Sequence, residues 1–286
     1  MINMDACWII IIATLASINC ALVGTYLVLR KIAMMGDAIA HSILPGIVLA
    51  LLITGSKSTP ILFIGASITG LLVTFLIAFL EKKIKIQADA AIGINFTFFF
   101  AIGIILISFF SRKIDLDPEC SLYGELSTAP LDIYKTAGGI NLGPRSFYTL
   151  LITLLLNVYF LIIGYKHLFV TTFDPQFAQS IGIDIKCWHY VLMIITALTT
   201  VAAFEVAGAI LVVALLIIPA ASMYLITKSL KYLLFFNMLF ATLTSVGGYY
   251  ISLMFNSSMA PTMVTLSGLL FFLIFIFNRL KNKQLI

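Results

Sequence analysis

The chain has 286 residues, of which 62% are hydrophobic and only 10% are charged, and its mean hydropathy is +1.13. Soluble domains carry about 25% charged residues, and no polar block is long enough to form one, which excludes a soluble enzyme or binding domain. The net charge of +5 does not indicate nucleic-acid binding, because the basic residues stand in short clusters at the ends of apolar runs, as in membrane proteins.

We therefore predict an all-α, polytopic membrane protein with a single domain over residues 1–286. Lipid offers the backbone no hydrogen-bond partner, so each long apolar run is expected to form a helix. We predict nine spans, but the sixth and seventh are separated only by Gly208, so eight crossings remain an alternative. The predicted spans are 8–29, 39–55, 60–80, 91–110, 147–165, 189–206, 208–226, 232–254 and 261–278.

Basic residues predict the orientation, because they collect on the cytoplasmic side of a membrane. They follow the first, third, fifth, seventh and ninth runs, which places the N-terminus outside and the C-terminus in the cytoplasm. The connection 111–146 then lies outside, although it carries basic residues, since long loops cross with less regard for charge. Its stretch 121–134 suggests short interfacial helices, which could form either a docking surface for an external partner or a packed lid.

Asp37 and His41 stand at the start of the second run, in MMGDAIAHSILPG. They share one face if the helix begins near Met35, and a carboxylate with an imidazole suits manganese, iron or zinc. Two ligands are too few for a tight site, but a second copy across a two-fold axis would supply four. The alternative is that Asp37 caps the helix and His41 is an ordinary interfacial side chain. Pro45 is expected to interrupt the helix just after His41, as at many transporter substrate sites.

The connection after the fifth run, FDPQFAQSIGIDIKCWHY, predicts a helix of one to two turns on the cytoplasmic face. Asp174 suits the N-cap, Pro175 the first helical position and Gly182 the stop. Exposed Phe173 and Phe177 could dock a partner subunit, or the helix could be a plain amphipathic turn at the interface.

Glu205 is the only charged residue between Val201 and Ser222. An ionisable group inside a membrane is expensive and indicates a transport pathway or a partner. The alternative is that Glu205, close to Gly208, lies at the outer interface, where the cost is small. Pro219 in the next run is expected to kink the helix rather than break it.

Several chemistries are absent from the sequence. It has no G-x-x-x-x-G-K-[ST] loop for ATP and no H-E-x-x-H pair for a metalloprotease. The four cysteines show no CxxC spacing, so they predict neither a metal cluster nor a disulfide framework. Any energy for transport must come from another subunit or from a gradient.

Three segments in order carry a family resemblance: LVLRKIAMMGDAIAHSILPGIVLA, FDPQFAQSIGIDIKCWHYVLM and VAAFEVAGAILVVALLIIPAA. Together they resemble the permease subunits of bacterial ABC importers for manganese, zinc and iron, and the resemblance extends over essentially the whole chain. It implies a type II ABC-importer-like fold, related to the cobalamin-type importers, in the bacterial inner membrane.

The resemblance also implies partners and residue roles. The implied assembly contains a second permease copy or a paralogue, two cytoplasmic ATP-binding subunits and an external metal-binding solute-binding protein. The chain would be no enzyme and would hold no permanent cofactor, only the transported divalent ion. Asp37 and His41 would coordinate the ion in the pathway, and the coupling helix inserted into the ATPase would contain Asp174, Pro175, Ala178 and Gly182.

A stand-alone, gradient-driven cation transporter or channel is the alternative function. It would move cations in liposomes without any ATPase subunit, whereas an importer permease would co-purify with one. The resemblance predicts alternating access driven by ATP hydrolysed in the separate subunit.

Overall fold

In the computed structural model, residues 4–55, 59–110, 126–135 and 141–283 are described. Most of the predicted external connection, residues 111–125 and 136–140, lies outside them. The helices are α1 (Met4–Leu29), α2 (Met35–Ser42), α3 (Leu44–Thr54), α4 (Thr59–Phe79), α5 (Ala88–Phe110), α6 (Arg145–Phe173), α7 (Pro175–Ser180), α8 (Ile185–Ile226), α9 (Leu230–Phe255) and α10 (Met259–Lys283). A π-helical turn, Leu80–Ile84, extends α4.

Within these described ranges, eight segments are long and apolar enough to cross a membrane, with α2 and α3 together forming the second. One of them, α8, has 42 residues, which corresponds to about 63 Å of helix at 1.5 Å per residue. The hydrocarbon core of a bilayer is only about 30 Å thick. A single crossing therefore cannot accommodate α8.

The two ends of α8 lie at the same end of the bundle. Near its start, Trp188 stacks on His167 of α6 with ring centroids 4.8 Å apart. Just beyond its end, Lys231 places its Nζ 6.0 Å from the ring centre of Tyr165, also on α6. The chain therefore turns back within α8, at Gly208, whose φ of 72° and ψ of 168° are non-helical.

This reversal reconciles the two predicted counts, since eight long helices make nine passes when α8 folds back. The predicted boundary at Gly208 is therefore confirmed, and the polytopic all-α fold class is confirmed with it. α8 remains helical through Pro219, which does not break it.

α8 also forms the centre of the core, and α1 packs against it with almost no space between the backbones. A Cβ built on Gly24 of α1 would lie only 2.0 Å from the carbonyl oxygen of Leu216. Small residues at such crossings let membrane helices approach closely. A side chain larger than hydrogen at Gly24 would force α1 and α8 apart.

Polar side chains inside the bundle tie α1, α6 and α8 together. The Asn157 amide donates to Asn19 Oδ1 at 2.8 Å, and Thr199 Oγ1 donates to Asn157 Oδ1 at 3.1 Å. Asn19 Nδ2 in turn donates to the Leu150 carbonyl at 3.1 Å. These hydrogen bonds fix the relative depth of the three helices, because hydrocarbon would leave the same groups unsatisfied.

The segment before α6 covers the end of the bundle opposite to the ends of α8. It holds a 3-10 turn (Ala129–Leu131) and two short antiparallel strands, β1 (Ile133–Lys135) and β2 (Asn141–Pro144). Trp8 of α1 packs edge-on against Phe147 at 5.4 Å and contacts Gly143. The prediction of interfacial helices over 121–134 is wrong in part: in the described residues of this stretch only Ala129–Leu131 forms a helical turn, and Ile133 begins strand β1.

The reversal at Gly208 gives a first test. Its backbone conformation is essentially restricted to glycine, and other residues there cost about 1–3 kcal/mol. We expect Gly208→Ala to lower the free energy of unfolding by that amount and to lower the thermal midpoint of the detergent-solubilised chain. Gly93→Ala is the matched control, because a Cβ at this helical glycine meets nothing within 4 Å. An unchanged midpoint for Gly208→Ala would contradict the reversal.

Candidate functional site

Asp37 and His41 lie on one face of α2, which begins at Met35. The His41 Nε2 atom is 3.4 Å from Asp37 Oδ1, and the two side chains are 20% and 29% exposed respectively. Asp37 is the third residue of the helix, and the N-cap position belongs to Met34, which makes no side-chain cap bond. The capping alternative for Asp37 is therefore wrong.

Two aromatic rings of α5 hold the imidazole of His41. Phe96 and Phe100 pack edge-on against it, with centroid distances of 5.4 Å and 5.7 Å. Sequence reasoning missed both rings, although their spacing of four residues puts them on one helix face. His41 Nδ1 is buried and has no hydrogen-bond partner among the described residues. The ring is thus oriented by packing, with Nε2 directed to Asp37.

The pair offers one carboxylate and one imidazole, the donor types that manganese, iron and zinc accept. Among the described residues, no group of three or more His, Cys, Asp or Glu side chains could hold a metal ion. The described part of one chain therefore supplies only half of a four-ligand shell. Water, backbone oxygen or another polypeptide would have to complete it.

The helix is interrupted directly after His41, as predicted. α2 ends at Ser42 and α3 begins at Leu44, with Pro45 in its first turn. Because proline has no N–H, the His41 carbonyl lacks the donor that a continuous helix would provide four residues later. The interruption therefore lies directly beside the pair, as at the broken helices of transporters.

Glu205 is separate from this pair. It is exposed on α8, between buried Phe204 and Val206, and it interacts electrostatically with Asp132 of the segment before β1. The Asp132 carbonyl accepts a hydrogen bond from the backbone N–H of Arg145 at 2.9 Å, at the start of α6. Glu205 therefore lies towards the end of the bundle that holds Trp8, as in the interfacial alternative. Its role in the pathway stays a prediction.

The predicted short helix after the fifth run is α7. Asp174 Oδ1 accepts a hydrogen bond from the backbone N–H of Phe177 at 2.9 Å, and Pro175 is the first helical residue. Ala178 is fully buried, and Gly182 ends the turn with a φ of 79°. The structure thus places all four residues of the predicted motif as their types require.

Three accessible apolar side chains lie on α7 or directly beside it. Phe173, Phe177 and Ile181 are each about half exposed, at 50%, 51% and 51%. They surround a helix that projects from the end of the bundle holding both ends of α8. Exposed apolar side chains grouped in this way are typical of a surface that binds another protein.

Arg30 connects the end of α1 to the end of α6, directly before α7. Its Nη2 donates to Thr171 Oγ1 at 2.9 Å and its Nε donates to Thr172 Oγ1 at 3.1 Å. Sequence reasoning used Arg30 only as an orientation signal and missed this contact. The guanidinium therefore joins α7, through α6, to the chain segment that leads into α2.

Comparisons with known proteins agree with this architecture. The profile of a family described as "ABC 3 transport family" matches residues 4–278. The chain is 43% identical over 271 residues to the manganese transport system membrane protein MntD of Bacillus subtilis, covering 95% of this chain and 91% of that relative. It is 36% identical over 271 residues to the zinc transport system membrane protein TroD of Treponema pallidum, covering 94% and 73%.

A solved structure gives the same result. The chain superposes on PsaBC from Streptococcus pneumoniae, determined in complex with a Fab, with a TM-score of 0.77 and 31% sequence identity. The match covers 95% of this chain and 91% of that one. The bundle described above is therefore also found in an experimentally determined protein.

The cap of α7 gives the second test. Replacing an N-cap Asp by Ala costs about 0.5–2 kcal/mol, whereas Asn caps equally well. We expect Asp174→Ala to speed hydrogen exchange at Phe177 and Ala178, and Asp174→Asn to leave it near the wild-type rate. Gln179→Ala, on the exposed side of α7, is the control for substitution within the same helix. Equal exchange in the Ala and Asn variants would show that the cap does not hold α7.

Proposed function

The chain belongs to the ABC 3 transport family and is the membrane permease of a metal-ion ABC importer, and on that premise we propose that Asp37 and His41 bind the metal ion as it crosses. The single observation that supports this role is their geometry, with Nε2 and Oδ1 3.4 Å apart on one face of α2. Manganese or zinc is the proposed cargo, because the named relatives are manganese and zinc transport proteins.

We propose further that two copies of α2 meet across a two-fold axis. One described chain presents no group of three metal-binding side chains, and a symmetric pair would supply two carboxylates and two imidazoles. Four such donors form a plausible shell for a divalent transition metal. A paralogous permease with the same pair would serve as well as an identical copy.

The ion must be held weakly enough to leave. Conduction needs sites that favour entry without retaining the ion. Neutral imidazole and a partly exposed carboxylate meet this need better than a closed thiolate cage. The broken helix after His41 leaves the site adjacent to a joint between α2 and α3, where a small movement would change the ligand geometry.

Energy is supplied by a separate ATPase subunit, so the permease itself is not an enzyme. We propose that α7 is the contact with that subunit, because its apolar outer face projects from the bundle and its fold is fixed by Asp174 and Ala178. Arg30 would transmit the movement of α7 to α1 and α2. The end that carries Arg30 and α7 would face the cytoplasm, and an external metal-binding protein would dock at the opposite end, near Trp8.

Removal of either ligand tests the metal site. We expect Asp37→Ala or His41→Ala to reduce accumulation of manganese or zinc at least about tenfold, since each variant removes one of the two proposed ligands from each copy. The measurement is metal uptake by cells or proteoliposomes containing the whole transporter, together with co-purification of the subunits. His167→Ala and Asp89→Ala are matched controls outside the pair. Normal uptake by both ligand variants would remove the proposed relay.

The Arg30 contact gives a separate test, of coupling rather than binding. In the reconstituted complex, we expect Arg30→Ala to keep ATP hydrolysis but to lower the metal transported per ATP severalfold, because the link between α1 and α6 is lost. Arg30→Lys retains the charge but not the two-pronged hydrogen bonding and should show the same defect. Lys228→Ala, an exposed basic residue at the same end, is the control. An unaltered transport-to-hydrolysis ratio in both Arg30 variants would show that this contact does not transmit the movement.

A further inference from the structure

We propose that Glu81 and His189 form a second divalent-cation site, which takes the ion after Asp37 and His41. The proposal rests on the function proposed above, that a metal ion passes through this chain. Glu81 lies on the π-helical turn after α4, and His189 lies in the first turn of α8. Neither residue belongs to the pair on α2 or to the coupling helix.

Both side chains face one small cavity. It has a volume of about 10 Å³, and the other seven residues that line it are apolar. This is about the space that one water-sized particle occupies. One acidic residue and one histidine therefore line an apolar cavity with room for a single ion, and they repeat the donor types of Asp37 and His41.

The cavity lies directly next to the first pair. His41 packs against Phe96 and Phe100 of α5, and Ile92, one turn earlier on the same face of α5, lines the cavity. One helical turn is about 5.4 Å. Met35, on the same helix as Asp37 and His41, forms another wall. An ion leaving His41 toward the end that carries α7 would thus meet this cavity within one to two turns.

The backbone at Glu81 is unusual in two respects. Leu80–Ile84 is a π-helical turn, a rare conformation that occurs frequently at functional sites. It ends at Lys85, a non-glycine residue with a φ of 61°, in a region that side chains adopt infrequently. Such a local distortion changes the direction in which a side chain points. Here it affects Glu81, the only acidic residue in EKKIK.

The neighbouring positive charge of Lys83 does not fill the cavity. Its Nζ lies 5.3 Å from the centre of the Phe79 ring, outside the set of cavity residues. A cation would therefore meet the carboxylate of Glu81 without direct competition from that ammonium group. A site with only two protein ligands is weak, and a weak site is suited to release.

Binding of Mn²⁺ alone to the purified transporter complex, followed by loss of the free Mn²⁺ signal in electron paramagnetic resonance, tests the second site. The double variant Asp37→Ala, His41→Ala lacks the first pair. Any Mn²⁺ that it still binds must therefore occupy a different site. We expect a residual weak site in this double variant, and at least about tenfold weaker binding when Glu81→Gln and His189→Gln are added. His167→Gln, at the same end of the bundle and outside the cavity, is the matched control and should leave the residual site unchanged.

Two results would overturn the second site: no residual Mn²⁺ binding after loss of the first pair, or equal residual binding with Glu81 and His189 replaced. If the variant with all four changes fails to assemble, the same measurement is made on a triple variant in which only Glu81→Gln is added to Asp37→Ala and His41→Ala. Failure of the proposed function is distinguishable, because the wild-type complex would then bind and transport no Mn²⁺ at all. If Mn²⁺ transport depends on Asp37 and His41 while replacement of Glu81 and His189 changes no Mn²⁺ binding, only the second site is disproved.

Discussion

The constraint on which this structure depends is that hydrocarbon cannot hydrogen-bond. Every backbone group inside the membrane must be satisfied within a helix, and many buried polar side chains bond to another helix or to their own preceding turn. The chain of contacts from Leu150 through Asn19 and Asn157 to Thr199 shows the result. Because these groups bond to one another, they stabilise the bundle by linking three of its helices.

Against that background, both proposed ion sites lie at departures from regular helix. At Asp37 and His41 the Oδ1 and Nε2 atoms face each other across 3.4 Å, and the helix is interrupted immediately afterwards. At Glu81 the helix is π-wound rather than α-wound. Both distortions sit beside a carboxylate and an imidazole. In a fully regular helix every interior carbonyl accepts a bond from within the helix, so both proposed sites lie where that regular hydrogen bonding is interrupted.

The sequence predicted those features that depend on local chemistry. Long apolar runs predicted the spans, the four-residue spacing predicted the shared face of Asp37 and His41, and Asp174 with Pro175 predicted the short helix α7. The features it missed depend on contacts between segments far apart in the chain. Phe96 and Phe100 are ordinary members of an apolar run until α2 is placed beside them, and nothing local reveals that Arg30 lies next to Thr171 and Thr172. Gly208 combines local and distant information. The sequence alone predicted a boundary at this glycine, but only the contacts at both ends of α8 show that the chain reverses there.

Under the proposed function, the same connectivity would let a partner at one end of the permease affect an ion held by Asp37 and His41. α7 is held to the bundle by buried Ala178, and Arg30 joins the end of α6 to the segment leading into α2. The connection between α1 and α2 is short, since α1 ends at Leu29 and α2 begins at Met35. No long flexible loop therefore separates Arg30 from α2. A displacement of α7 by a partner must therefore either move α2 or break the guanidinium contacts. Movement of α2 changes the position of Asp37 relative to any ligand on another polypeptide, because both ligand residues lie on this one short helix and would be displaced together. A site assembled from two such helices would thus be closed or opened by their separation alone, without any change in the Asp37–His41 geometry within each chain.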